Sequence, residues 1–285
     1  MAGQLEICEV GPRDGLQSAA QVLSVAERVG FIARLVESGL TKIEVGSLVN
    51  PKLVPTMADS EKVFTAISER FPANKKNFSL LVPNQKGLDK AKEIGCKSVA
   101  LFSATSEIFN KKNINRGVKE SIAELGFLIA SAKAERMRIR LYISTVFDCA
   151  YEGTMNPVKD LEIFLPLMGQ VDEVSLGDTT GRATQAQITT LLDSGILKSV
   201  EDKIWWHFHD TFGLAVENTR LCMKLGFRKF DSSAGGIGGC PFSPGAKGNI
   251  ATEKVLRVAE EMGLLHAIKQ DYLAPGAWPQ AIMRA

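Results

Sequence analysis

The 285 residues carry 34 Lys and Arg against 32 Asp and Glu, a formal net charge of +2, and 45% of them are hydrophobic. This is the make-up of an ordinary globular chain, and without runs of like charge it argues against nucleic-acid-binding tails and membrane-surface helices. Five cysteines (Cys8, Cys96, Cys149, Cys222 and Cys240) are odd in number and form no CxxC pair, which argues against a disulfide framework or zinc knuckle and points to a reducing cytoplasm.

The opening MAGQLEICEVG lacks a basic segment followed by a long apolar one, so no cleavable signal is expected, and no stretch reaches the ~20 apolar residues of a spanning helix. From there the chain alternates. LEICEVG (5–11) reads as a strand and VAERVGFIARLVESGL (25–40) as an amphipathic helix. Strand-like KIEVGS (42–47), NFSLLV (77–82) and SVALFSA (98–104) are separated by helical SEKVFTAISERF and KGLDKAKEIG. A helix over roughly 117–135 precedes strand-like RIRLYIST (138–145), then helical VKDLEIFLPLM and strand-like DEVSLGD (172–178). Helical ATQAQITTLLDSG leads to KIWWHFHD (203–210), and AVENTRLCMKLG to RKFDSSAGG (228–236), with a closing helix over 249–263.

Eight such units predict parallel strands joined by crossover helices, and so an α/β (β/α)8 TIM barrel. An open doubly wound sheet is the alternative, but the first turn reads GPRDG, without GxGxxG. No linker divides residues 1–285, which are read as one domain.

Candidate chemistry collects where strands end. His207 and His209 are two apart on the seventh strand, so both imidazoles face one way, either as core histidines or as metal ligands at the barrel mouth. Arg13 and Asp14 follow strand one, which neighbours strand eight and through it strand seven. They read as a solvated turn, or as a carboxylate completing a divalent-ion site beside an arginine. Glu44, inside a strand expected to be apolar on both faces, needs a partner, and Arg13 is the obvious one. Asp178 ends strand six as a turn or cap residue, and Thr145 lies near the end of strand five. The Gly-rich stretch 235–249 is expected to be a loop over the mouth, with Cys240 as an incidental thiol or an acid–base group. Asn249 would cap the last helix or offer an amide oxygen to the ion. Glu253 would favour that helix's first turn, and His266 near its end is read as structural.

RDGLQ, HFHDTFG and GGCPFSPGAKGN occur in that order, along with PKLVPTMAD, SEIFNKKNIN, YEGTMNP and SLGDTTG. On these motifs the chain resembles the 3-hydroxy-3-methylglutaryl-CoA lyase family over nearly its whole length. The resemblance implies cleavage of that acyl-CoA to acetyl-CoA and acetoacetate with Mg²⁺ or Mn²⁺, as in leucine degradation and ketone body metabolism, by a cytoplasmic homodimer. It implies Asp14, His207, His209 and Asn249 as metal ligands, Arg13 as the enolate stabiliser held by Glu44, and Cys240 as the loop thiol. Asp178 would be the acidic residue near the substrate hydroxyl, whose proton Asp178, His207 or a water on the ion would take. Two departures bear on the substrate. Ser18-Ala19-Ala20 stand where the family usually has Asn-Glu and a lysine, and Leu48 stands where an aromatic is common. A related 3-hydroxy-3-alkylglutaryl-CoA is therefore a second expected substrate. A Claisen-type synthase, an aldolase without CoA and a non-catalytic binding barrel are less favoured rivals.

Overall fold

In the computed structural model, which describes residues 4–239 and 248–269, the alternation resolves into parallel strands, each followed by helix. The strands are β1 (Glu6–Glu9), β2 (Lys42–Ser47), β3 (Phe78–Leu81), β4 (Ser98–Ala104), β5 (Arg138–Ser144), β6 (Glu173–Asp178), β7 (Ile204–Phe208) and β8 (Lys229–Ser232). Their hydrogen bonds close the barrel in the order β1-β8-β7-β6-β5-β4-β3-β2. Around it lie α1 (Val25–Glu37), α2 (Ser60–Arg70), α3 (Gln85–Glu93), α4 (Glu107–Ile114), α5 (Val118–Ala134), α6 (Pro157–Leu161), α7 (Leu165–Met168), α8 (Gln185–Asp193), α9 (Ala215–Lys224) and α10 (Thr252–Glu261). The expected adjacency of strands one, eight and seven is present in a single register: Cys8 pairs with Asp231, and Asp231 with His207.

Local signals account for several boundaries. Ser24 starts α1 with a capping box, its hydroxyl accepting from the Glu27 N–H while the Glu27 carboxylate accepts from the Ser24 N–H. Thr184 and Gln187 do the same for α8. Arg28 on α1 is buried and donates to the Ala58 carbonyl at 2.7 Å and to Ser60 Oγ at 2.9 Å, pinning the β2–α2 connection to α1.

Five features differ from the sequence reading. Helix α4 is additional to it, and a short hairpin pairs Asp148–Cys149 with Gly153–Thr154 after β5. The closing helix begins at Thr252, because residues 248–251 are drawn out along the ends of β7 and β8, where Ile250 N donates to the Phe208 carbonyl and Ser233 N to the Ile250 carbonyl. His266 accordingly lies beyond that helix, beside Glu260 at 3.2 Å. Lastly, the strands are not apolar on both faces. Their outward residues, such as Val45, Leu141, Leu176 and Trp206, join the helices in the main core, while the inward ones include Glu44, Arg140, Tyr142, Glu173, His207 and Asp231.

Glu9 ties the two ends of the barrel sequence together. Its fully buried carboxylate accepts from Gly11 N at 2.9 Å, Ala234 N at 3.0 Å and Thr252 Oγ1 at 2.7 Å. Burial outweighs these bonds and raises its pKa to about 7. The folded protein therefore holds this proton up to about pH 7, whereas the unfolded chain releases it near the ordinary 4.5. That contribution to stability is present below the lower value and lost as pH rises through the upper one. We predict that the unfolding free energy of the wild type falls relative to Glu9→Gln across this window, by up to about a few kcal/mol. Urea titrations at a series of pH values measure it, and parallel profiles for the two proteins would refute it.

Candidate active site

The site begins where β1 ends. The carbonyl of Val10 accepts from the N–H groups of Arg13 at 3.1 Å, Asp14 at 2.7 Å and Gly15 at 3.3 Å, a single wide helical turn over Gly11–Gly15. Such turns recur at functional sites because they re-aim consecutive side chains. Here Arg13 and Asp14 both reach the mouth of the barrel. Arg13 Nε donates to Glu44 Oε1 at 2.6 Å, and its Nη1 to Asp14 Oδ1 at 2.5 Å. Tyr142 Oη donates to the other oxygen of Glu44 at 2.5 Å, and the Arg13 guanidinium lies 5.1 Å from the Tyr142 ring centre. Burial works against the Arg13 charge, but Glu44 and Asp14 more than restore it, so the guanidinium is a permanent cation held in one orientation.

Opposite it stand the histidines. His207 Nε2 is 3.2 Å from His209 Nε2 and 4.0 Å from Asp14 Oδ2. Asn249 arrives through its antiparallel bridge with His209, reinforced by the Asp210 N–H to Gly248 carbonyl bond at 3.1 Å. It does not cap α10; its Nδ2 donates to Asp14 Oδ2 at 2.9 Å. Gly238 and Gly248 lie against one another, and a Cβ on Gly248 would overlap the Gly238 carbonyl, so the close approach of these two segments requires glycine.

The residues suit a divalent cation. Asp14, His207 and His209 form a cluster whose ligand atoms all lie within 4.8 Å of one another. Asn249 Oδ1 is buried without a hydrogen-bond partner, an acceptor that a cation would satisfy. Burial, aided by His207, lowers the pKa of His209 to about 4, leaving a neutral imidazole at neutral pH. Burial alone would raise Asp14, yet Arg13 and the histidines bring it down to about 2, so it is a carboxylate. Neutral imidazole, carboxylate and amide oxygen make a mixed nitrogen–oxygen donor set.

This cluster forms one wall of a cavity of about 560 Å³. Val49, Leu53, Leu81, Phe102 and Leu128 supply apolar lining, and Lys112 and Arg116 also face it.

Asp178 is a correction. Strand alternation turns Glu173, Ser175 and Gly177 inward and Asp178 away, and Asp178 does not line the cavity. Its Oδ1 instead accepts from the N–H groups of Arg182 at 3.0 Å and Ala183 at 3.1 Å, the turn role that was its alternative, and burial lifts its pKa to about 7. Leu48 is likewise corrected: it packs on the main core, and its neighbour Val49 lines the cavity. Ser18 does not line the cavity either, but its hydroxyl accepts from Gly239 N at 3.0 Å. Glu253 accepts from Gly235 N at 3.0 Å, and Asp210 pairs with Lys254 at 2.5 Å. Thr145 is held at φ 58° with its backbone N–H on Thr179 Oγ1. Cys240 lies outside the described residues.

Sequence reasoning missed Tyr142 and Asp231. The first is the second hydrogen-bond partner of Glu44, and the second sits 3.1 Å from His207 Nδ1. An aspartate at an inward strand position was the available signal.

Fold and site together define a (β/α)8 barrel enzyme with a His–Asp ion-binding type of cluster at the C-terminal ends of its strands, where barrel active sites form. The family model for HMGL-like proteins matches residues 4–275, and the chain belongs to that family. It is 41% identical over 255 residues to the 3-hydroxy-3-isohexenylglutaryl-CoA/hydroxy-methylglutaryl-CoA lyase of Pseudomonas aeruginosa, covering 89% of this chain and 84% of the relative. The crystal structure of the HMG-CoA lyase from Brucella melitensis superposes with a TM-score of 0.90 at 38% identity, covering 97% of each chain. A lyase structure from Acinetobacter baumannii, in complex with coenzyme A and 3-methylmalate, superposes with a TM-score of 0.85 at 31% identity, covering 95% of this chain and 88% of that one.

If the cluster holds a divalent ion, deleting one imidazole should cost more than about tenfold to a hundredfold, the loss typical of groups one shell further out. Calorimetric titration of EDTA-treated protein with Mn²⁺ is expected to show this weakening for His209→Ala. Equal affinity in the two proteins would remove His209 from the ligand set.

Proposed function

We propose that this protein is a divalent-metal-dependent carbon–carbon lyase that cleaves 3-hydroxy-3-methylglutaryl-CoA to acetyl-CoA and acetoacetate. The observation that carries this reading is the placement of the Glu44-clamped guanidinium of Arg13 beside the Asp14–His207–His209 cluster on one cavity wall, with Asn249 held against Asp14. Relatives named for this activity, and a related structure with coenzyme A bound, support the acyl-CoA substrate.

Loss of the C3 hydroxyl proton turns C3 into a ketone, the C2–C3 bond breaks, and its electron pair moves into the thioester as an enolate. The enolate then takes a proton at C2, giving acetyl-CoA. Asp14, His207, His209 and Asn249 would hold Mg²⁺ or Mn²⁺, which when bound polarises the C3 hydroxyl and orients the distal carboxylate. Arg13 presents fixed positive charge to the thioester oxygen as it becomes an enolate, and Glu44 and Tyr142 keep that charge from swinging away. With Nδ1 facing Asp231, His207 has only Nε2 for the site, which favours its ligand role over that of a free base. Cys240, by family resemblance, would deliver the proton to C2. Homodimer formation and a cytoplasmic setting belong to the same reading; among the described residues no helix is long and apolar enough to cross a membrane.

The apolar cavity wall favours a second substrate, a 3-hydroxyglutaryl-CoA with a longer C3 chain such as the isohexenyl compound in the relative's name. Acetyl-CoA release from both thioesters, by EDTA-treated protein with and without Mn²⁺, tests the activity and ranks the substrates. We expect ion-dependent release from the methyl compound, and none from either thioester would sink the proposal. Arg13→Lys keeps the charge but loses the fork held by Glu44. It should lower kcat by about a hundredfold or more with little change in KM, the scale of losing one oxyanion-stabilising donor. An unchanged kcat would detach Arg13 from the enolate.

A further inference from the structure

Imidazole offers a lone pair at only one nitrogen when neutral, and the partner of the other nitrogen selects which. His209 Nδ1 lies 2.9 Å from the carbonyl of Thr179, which can only accept, so the proton sits on Nδ1 and Nε2 is bare. His207 has the same arrangement with a carboxylate: its Nδ1 is 3.1 Å from Asp231 Oδ2. Two bare Nε2 atoms 3.2 Å apart then face the unpartnered Asn249 Oδ1 and Asp14, an arrangement of acceptors that a cation would resolve.

Asp231 is built into the barrel interior to hold this state. It is 2% exposed, its Oδ2 also accepts from Ser175 Oγ at 2.7 Å, and its Oδ1 accepts from Arg140 Nη2. Arg140 turns its other amine to Glu173 Oε2 at 2.6 Å, and Glu173 is further paired with Lys42 and with Arg138 at 2.6 Å. With Arg140 on Oδ1 and Ser175 on Oδ2, Asp231 is one half of a buried ion pair whose two oxygens both accept.

We propose that Asp231 is a positioning residue that locks His207 in the Nδ1–H tautomer and so presets Nε2 as a ligand atom, while Arg140 holds Asp231 in place. The inference rests on the reading of the four-residue cluster as an ion site. In Asp231→Asn the new amide keeps the shape and can accept from Arg140, but it can turn its NH₂ toward His207, reversing the proton preference.

Proton–nitrogen correlation spectra of isotope-labelled, metal-free protein above neutral pH read the tautomers directly. The chain has only 3 histidines, and His207→Gln assigns the signals. We expect Nδ1–H at His207 in the wild type and Nε2–H in Asp231→Asn, with Mn²⁺ affinity, measured from the free-ion electron paramagnetic resonance signal, reduced about tenfold to a hundredfold. Ser175→Ala, which leaves the His207–Asp231 contact in place, should keep the tautomer and nearly all of the affinity. An Nε2–H signal in the wild type overturns the proposal without any variant, even if Asp231→Asn fails to fold, and leaves the ion reading intact. A swapped tautomer with unchanged Mn²⁺ affinity overturns the link from Asp231 to the ligand. Wild-type protein with the Nδ1–H signal but no Mn²⁺ binding overturns the ion reading itself, and with it the presetting role.

Discussion

Charge buried inside a barrel must be paired, because an isolated ion removed from water costs far more than a single fold can supply. The interior of this protein obeys that constraint along two lines. One runs Lys42–Glu173–Arg140–Asp231–His207, and the other Tyr142–Glu44–Arg13–Asp14. They meet where Asp14 and His207 come within 4.0 Å of one another, at the mouth. The two lines also touch at Tyr142, whose ring has Arg13 and Arg140 each at 5.1 Å from its centre. Arg13 and His207, which face the cavity, are therefore each held from behind by an inward strand residue, Glu44 on β2 and Asp231 on β8.

An apolar interior of equal volume would be no less stable in principle, since buried ion pairs seldom repay their desolvation. What the charged interior provides is direction. A guanidinium gripped by Glu44 cannot rotate to follow a ground-state carbonyl, and an imidazole resting on Asp231 cannot turn its free nitrogen elsewhere. Preorganised dipoles and charges of this kind need no rearrangement as the transition state develops. Fold stability is left to the outer layer, where Trp206 stacks on Phe208 with ring centres 5.6 Å apart and packs edge-on to Phe227.

The mouth has a polar side on tight turns and strand ends and an apolar side drawn from several elements. The turn after β1 is short and locked by three bonds to one carbonyl, and the 248–251 segment is stitched to β7 and β8. The apolar wall takes Leu81 and Phe102 from β3 and β4, Leu128 from α5, and Val49 and Leu53 from the β2–α2 connection. The polar cluster thus sits on strands and tight turns, whereas the apolar lining draws also on a helix and a longer connection. That division lets one reaction be carried on pockets of different shape.

Periodicity carried most of the architecture, because apolar residues at spacing two and at spacing three to four identify strands and helices, and eight alternations match a barrel. The first turn, GPRDG, speaks against an open dinucleotide-binding sheet. The His207–His209 spacing likewise pointed to the site, being local and short in range. The turn chemistry of GPRDG by itself reads as a solvated turn, and only strand adjacency links Asp14 to the histidines. What the sequence could not determine was decided by packing between strands. Glu44 was legible as a buried charge, but Tyr142, distant in sequence, became its second partner only when the barrel closed. Asp231 looked like one more strand residue until register set it beside His207. Asp178 shows the opposite case: the motif placed it at the strand end, and a single step of alternation turned its carboxylate to the backbone behind. Which face a polar side chain takes, and which distant strand meets it there, depends on register and closure. Both are properties of the assembled sheet that no local stretch of chain carries.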